Sequence, residues 1–260
     1  MPKLCPHCGS PYLAGFGIGT QKIEEMAVQM FPQAKILRMD LDTPSRKGGH
    51  EKILSAFAKG KADILIGTQM IVKGHDFPNV TLVAALAADM SLYAGDYRSS
   101  ERTFELLMQA SGRAGRAEKA GEVVIQTYNP EEYSIQAVAG QDAEYFYENE
   151  LAFRRLMKYP PYSQMAAILI LSEEENEAKT LSEKLAENIH SVCGDAVTLI
   201  GPSKAGLSRA KDRYRYVLYV KSMDEEAMAC VREIAEEANR RVVNQKTCSV
   251  QYDRDPVNGY

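Results

Sequence analysis

Nowhere in the 260 residues is there a run of about 18 apolar side chains, so the sequence encodes no membrane-crossing helix of the usual kind. The first residues also lack the charged-then-apolar pattern of a secretory leader. The phosphate-cradling pattern G-x-x-x-x-G-K-[ST] is missing, and so is an Asp-Glu box to hold magnesium. The chain by itself therefore carries no complete site for phosphoryl transfer. Positive charge is not in excess: 31 Lys and Arg face 35 Asp and Glu, a net charge of −4. That balance argues against indiscriminate nucleic-acid binding while leaving room for a local basic groove. Five cysteines, an odd number with three of them scattered, fit a reducing cytosol better than a disulfide framework. What is there is ordinary for a soluble protein, with 45% apolar and 25% charged residues. The length allows one large domain or two modest ones with real cores.

The most informative stretch runs from Asp63 to Phe77. Ile64, Leu65 and Ile66 form a continuous apolar run that reads as a buried strand. The strand gives way to Gly67, Thr68 and Gln69, short residues whose hydroxyl, amide and backbone N–H groups can meet phosphate. The stretch then ends in Lys73-Gly74-His75-Asp76, a glycine turn carrying a carboxylate. A buried strand feeding such a loop places it at the carboxyl end of a sheet, where α/β proteins bind ligands. Further on, Gln109-Ala-Ser-Gly-Arg-Ala-Gly-Arg116 sets Arg113 and Arg116 on either side of a small-residue turn, so two guanidinium groups can converge on one anion.

Around these motifs the first half alternates strand and helix. Strands are expected at 34–39, 63–67, 80–86 and 122–127, with helices marked by Ile53, Leu54 and Phe57, by residues 100–108 and by 131–139. Near the start, Gly15-x-Gly17-x-Gly19 leads to Thr20, a candidate N-cap for a helix with Ile23, Met26, Ala27 and Met30 on one face. The spacing departs from a dinucleotide fingerprint. Asp40 and Asp42 read as a loop cap rather than a metal pair, because no histidine or third acid accompanies them. Near-continuous apolar strands between helices imply a mainly parallel sheet covered on both faces.

The words Gly-Thr-Gln-Met-x-x-Lys-Gly-His-Asp-Phe-Pro-Asn-Val and Gln-x-x-Gly-Arg-Ala-Gly-Arg, linked by Asp96-Tyr-Arg-x-x-Glu-Arg-Thr-Phe104, resemble motifs V and VI of superfamily 2 helicases. The wording is closest to the primosomal protein N′ (PriA) family of replication-restart helicases. The resemblance implies a RecA-like helicase lobe 2 over residues 12–140, the far wall of an ATP and magnesium cleft whose near wall is another lobe. It implies that Arg116 is the arginine finger, assisted by Arg113 and oriented by Gln109, and that Gly74 and Asp76 approach the nucleotide. Gly19, Thr20, Thr68 and Gln69 match positions that grip DNA phosphates. A plainer reading makes Asp76 a turn cap and Gln109 an ordinary helix residue. Cys5-x-x-Cys8 has zinc-knuckle spacing but supplies two of four ligands, and a free surface Cys-x-x-Cys in a disordered tail is the alternative reading. By resemblance it closes a cysteine module, residues 1–11 here, whose other ligands lie upstream. Cys193, Cys230 and Cys248 read as structural cysteines in helix or strand.

Residues 141–164 read as a charged helix and a connector ending in Tyr159-Pro-Pro-Tyr162. Residues 165–260 then run strand, helix, strand, strand, helix, strand, a small α+β ferredoxin-like domain of the kind in which the family ends. Strands are expected at 165–172, 197–201, 214–221 and 247–253. A basic loop between the second and third carries Lys204, Arg209, Lys211, Arg213 and Arg215, interleaved with Tyr214 and Tyr216. Cations among aromatics suit phosphate contact with base stacking; a solvated loop is the alternative. The resemblance implies a role in an ATP-dependent 3′→5′ DNA helicase that restarts stalled forks. Branched or single-stranded DNA, single-stranded-DNA-binding protein and other primosome proteins would be its partners, with no membrane. A chain lacking the phosphate loop could instead be a non-catalytic nucleic-acid-binding module of motor-lobe shape.

Overall fold

The computed structural model describes residues 19–40, 49–68, 77, 79–93, 95–114, 121–243, 248–257 and 259–260. The chain divides into two units. One is built on residues up to Leu92 and on Arg102–Gln141, the other on Tyr93–Glu101 and Asp142–Tyr260.

In the first unit, β1 (Ile36–Met39) and β2 (Ile64–Gly67) pair in parallel, with Ile36 opposite Ile64 and Met39 opposite Gly67. Parallel neighbours need a crossover, and α2 (Gly49–Ala58) supplies it. Met39, Leu54 and Phe77 form the core of this layer, with Phe57 meeting Phe77 edge-on at 5.2 Å between ring centres. A second parallel pair joins β3 (Leu82–Ala85) to β4 (Glu122–Ile125), and α3 (Asp89–Leu92) and α4 (Ser99–Ser111) lie between them in sequence. Both pairings run parallel, as the strand–helix alternation requires. The unit closes with α5 (Tyr133–Gly140), whose first N–H groups are capped by the Glu132 carboxylate.

The N-terminal helix α1 (Thr20–Met30) departs from expectation in two ways. Gly19, not Thr20, is the N-cap, and no side chain caps the helix. The Thr20 hydroxyl donates instead to Asp40 Oδ2 at 2.9 Å. One turn on, Glu24 lies 3.4 Å from Arg38 Nε. These two polar ties turn Thr20, Ile23, Glu24 and Ala27 inward, a proper i, i+3, i+4, i+7 face. Met26 and Met30, expected on the buried face, are therefore 45% and 67% exposed.

The second unit opens with α6 (Ala143–Met157), capped by Asp142, whose carboxylate accepts from Tyr145 N at 2.9 Å. The sheet that follows contains β5 (Gln164–Ser172), β6 (Thr198–Ala210), β7 (Arg213–Ser222) and β8 (Cys248–Arg254). Its order is β6-β7-β5-β8 with every pairing antiparallel, the ferredoxin-like arrangement that the element order predicts. Helices α7 (Glu175–Cys193) and α8 (Glu225–Val243) contribute Leu185, Ile189 and Val231 to a core with Ile168, Ile170 and Leu218. The residues between these on the strands point to the opposite face, where Ala167, Leu169, Ala205 and Val217 pack with Tyr219 and Tyr260.

The expected basic loop is a strand hairpin. Strand β6 does not stop at Gly201 but passes through a register shift between Ile200 and Ser203 and continues to Ala210. Gly201 has φ +100°, and a Cβ there would lie 3.0 Å from the Val217 carbonyl oxygen and 3.1 Å from Ser203 N. The glycine that reads as a strand end is thus the residue that lets the strand bend and go on.

Candidate nucleotide and nucleic-acid interface

In the first unit the candidate ligand loop leaves the sheet after Gly67. Thr68 follows at the carboxyl end of β2 with its side chain exposed. Phe77, 5% exposed, anchors the chain back in the core. Gln69, Gly74, Asp76 and Arg116 fall outside the described residues, as do Cys5 and Cys8. Gly19 and Thr20 begin α1, where the Gly19 carbonyl accepts from Lys22 N and Ile23 N. The Thr20 hydroxyl is committed to Asp40, and it shares Oδ2 of that carboxylate with Arg38 Nε at 3.4 Å.

The arginine motif sits at the end of α4. Thr103, Phe104 and Leu107 form the buried side of the helix, and Gln109 is exposed. The helix closes as Gly112 N bonds to Met108 O and Arg113 N to Ala110 O, each at 3.0 Å. Arg113 is half-buried just past this end. A cation beside the carbonyl end of a helix is favourably placed in the helix dipole, and a guanidinium there can also receive an anion.

Two features of the first unit escaped sequence reasoning. Asp89, 1% exposed, accepts from Thr127 Oγ1 at 2.6 Å and Tyr128 N at 2.9 Å, tying the start of α3 to the end of β4. Burial pushes its carboxyl up, but the hydrogen bonds from Thr127 and the backbone outweigh this and hold it below the usual carboxylate value. Thr103, fully buried on α4, donates to Ser91 Oγ at 2.8 Å. An aspartate just after a strand offers no sequence signal that its partners lie nearly forty residues on.

In the second unit, Lys211 and Asp212 form the two-residue turn of the β6–β7 hairpin with φ of 49° and 60°. Strand alternation then sorts the cations from the tyrosines. Tyr214, Tyr216, Leu218 and Val220 belong to the helix-side core, and Tyr216 is only 7% exposed. Arg213 and Arg215 alternate with them on the other face, along with Val217 and Tyr219. Arg213 and Arg215 are therefore turned away from Tyr214 and Tyr216, their neighbours in sequence. Arg215 donates to Leu207 O at 3.1 Å and, with Lys204, Tyr219 and Tyr260, lines a cleft of about 490 Å³. Lys204 is paired with Glu175 at 2.5 Å. Arg209 lies 5.2 Å over the Tyr214 ring.

A charged cluster outside the motifs occupies another part of this unit. Arg154 bonds Glu150 through Nε at 2.6 Å and Glu101 through Nη2 at 2.9 Å, and its guanidinium carbon lies 5.4 Å over the Tyr97 ring. Burial pushes the Glu101 carboxyl up, yet bonds from Arg98 and Arg154 bring it below its ordinary value. Lys221 donates to Met157 O at 2.9 Å and stands over Tyr159; burial, then Lys158, pull its ammonium down. Cys248 is buried and Cys193 and Cys230 are half-buried, all three as free thiols. The Cys193 thiol is pushed up to about 11 by burial and by its hydrogen-bonded neighbour Cys230. Among the described residues, no three metal-binding side chains gather.

Comparison with known proteins gives two family matches: Helicase conserved C-terminal domain over residues 18–118, and Primosomal protein N C-terminal domain over 155–257. Replication restart protein PriA of Bacillus subtilis is 48% identical over 256 residues, covering 98% of this chain and 32% of that protein. The Synechocystis protein of the same name is 44% identical over 220 residues, 85% of this chain and 26% of its own length. That of Treponema pallidum is 32% identical over 257 residues, 99% of this chain and 38% of its own. The chain thus spans about a third of the length of these curated relatives. A de novo designed protein with a ferredoxin fold overlays 36% of the chain at 14% identity and a TM-score of 0.28, too slight to add to the strand order.

Proposed function

This chain belongs to the replication restart protein PriA family, and on that premise we propose that it is the C-terminal half-motor and C-terminal domain of an ATP-dependent 3′→5′ DNA helicase that restarts stalled forks. The observation carrying this reading is the placement of Arg113 just past α4, within the stretch that matches a helicase C-terminal domain. In this reading Arg116 stabilises charge on the transferring γ-phosphoryl, with Arg113 and Gln109 assisting and Gly74 and Asp76 near the nucleotide. Magnesium and the attacking water are held by a lobe outside this chain. Gly19, Thr20, Thr68 and Gln69 hold the phosphates of one strand, and Arg213 and Arg215 those of a branched DNA. The Thr20 contribution comes through its backbone N–H, since Asp40 already accepts from its hydroxyl.

Single-stranded-DNA-binding protein and other primosome proteins are the partners of this activity, which takes place in the cytoplasm. Among the described residues no helix is long and apolar enough to cross a membrane. Zinc, in this reading, is held by Cys5 and Cys8 together with ligands from beyond this chain.

The test is turnover by the chain mixed with a separately made first motor lobe and forked DNA. Arg116→Ala is expected to lower kcat by about 10³-fold or more, the range for an arginine finger. Undiminished turnover in that variant would remove Arg116 from the chemistry.

A further inference from the structure

We propose that Arg154 is a positioning residue for α4, holding by its first turn the helix that ends beside Gln109 and Arg113. The guanidinium joins two carboxylates of different origin. Glu150 lies one turn earlier on α6, whereas Glu101, 53 residues earlier in the chain, sits in the first turn of α4. Arg98 Nε meets the same Glu101 oxygen at 2.9 Å, and the Asp96 carboxylate takes the Arg98 N–H at 2.9 Å. The Tyr97 ring under Arg154 stacks on Tyr159 with 5.3 Å between centres. Every residue from 96 to 98, with Glu101, is therefore held by a side chain or carboxylate of this one cluster.

Stability alone does not account for such an arrangement. The Arg154 and Glu150 side chains are 12% and 4% exposed, and desolvating buried ions roughly cancels their attraction. What a guanidinium fork adds is direction, because it donates to carboxylates only along fixed edges. A helix is stiff over its length, so fixing its first turn restrains the turns that follow, through Gln109 to its end beside Arg113. The functional consequence rests on the motor reading of those two residues; the anchoring does not.

Hydrogen exchange on the 260-residue chain tests the anchor. Glu101→Gln and Arg154→Met are expected to speed exchange of the α4 amides of residues 103–111 by roughly tenfold or more, the factor for losing one charge-assisted hydrogen bond. The amides of β5 and β7 should be unchanged. Glu150→Gln retains an acceptor for Arg154 Nε and should leave α4 alone. Changes confined to residues 97–101, or an equal effect of Glu150→Gln, would overturn the proposal. With the first motor lobe added, Glu101→Gln should lower kcat while leaving the KM for ATP unchanged. Faster exchange with unaltered kcat would overturn the positioning role. If the wild-type mixture shows no turnover, the motor reading fails, and the exchange result still decides the anchor.

Discussion

Removing the Asp89 carboxylate should loosen the β3–β4 layer far more than an ordinary surface change. Asp89 accepts a hydroxyl at 2.6 Å and a backbone N–H at 2.9 Å, with a third donor, Asn129 N, at 3.4 Å. Bonds to a charged group are each worth about 1.5–3 kcal/mol net, and the third is too long to count fully. Water entering the vacated space recovers part of this, so Asp89→Ala should cost about 2–4 kcal/mol. Asp89→Asn keeps one acceptor and should cost about half as much. The sign with pH follows from the lowered carboxyl: its contribution is complete above 3.8, the unfolded value, and is lost as pH falls through the folded one. The gap between wild type and Asp89→Ala should therefore close in acid. The chain has no tryptophan and two units, so hydrogen exchange of β3 and β4 amides reads this layer better than a global melt. A loss below about 0.5 kcal/mol, the size of a neutral surface change, or a gap that persists in acid, would mean that the Asp89 carboxylate does not hold this layer.

Other consequences can be checked separately. Gly201→Ala forces a Cβ against the Val217 carbonyl at positive φ and should destabilise the second unit by roughly 1–3 kcal/mol in denaturant unfolding. Tyr260 donates to Asp253 Oδ2 at 2.5 Å, and burial, then Asp253, push its phenol up to about 12. Its stabilisation is present below pH 10 and is lost as pH rises towards about 12; ultraviolet titration should show as many tyrosines ionised by pH 11 in Tyr260→Phe as in wild type, although the variant has one tyrosine fewer. Arg215→Ala should weaken forked-DNA binding evenly across sequences and lower the salt slope by about 1, as measured by anisotropy over a salt series.

Much of the fold was legible because it is periodic. The apolar run Ile64–Ile66 and the alternation of residues 214–220 announced strands of the right kind, and the order of elements carried the ferredoxin-like topology. Failures arose where one residue has two meanings. Gly201-Pro202 reads as a stop, yet here it is a bend within β6. Thr20 reads as a cap, but Asp40, twenty residues on, claims its hydroxyl and turns α1 about its axis. Arg213 and Tyr214 look like neighbours in sequence, and a strand sends them to opposite faces. The motifs at 67–76 and 109–116 carried the family resemblance because their distinctive residues fall within short spans. The Arg154 and Asp89 networks were not, because their partners meet only after folding.

Whether this chain is half of a motor is decided by ATP hydrolysis in the presence of forked DNA, first with this chain alone and then with a separately made first motor lobe. The half-motor account predicts no turnover by the chain alone, which has no phosphate loop, and turnover once the two are mixed. Hydrolysis by the chain alone would contradict it. A silent mixture, with DNA binding by the chain intact, would leave a binding module of motor-lobe shape in its place.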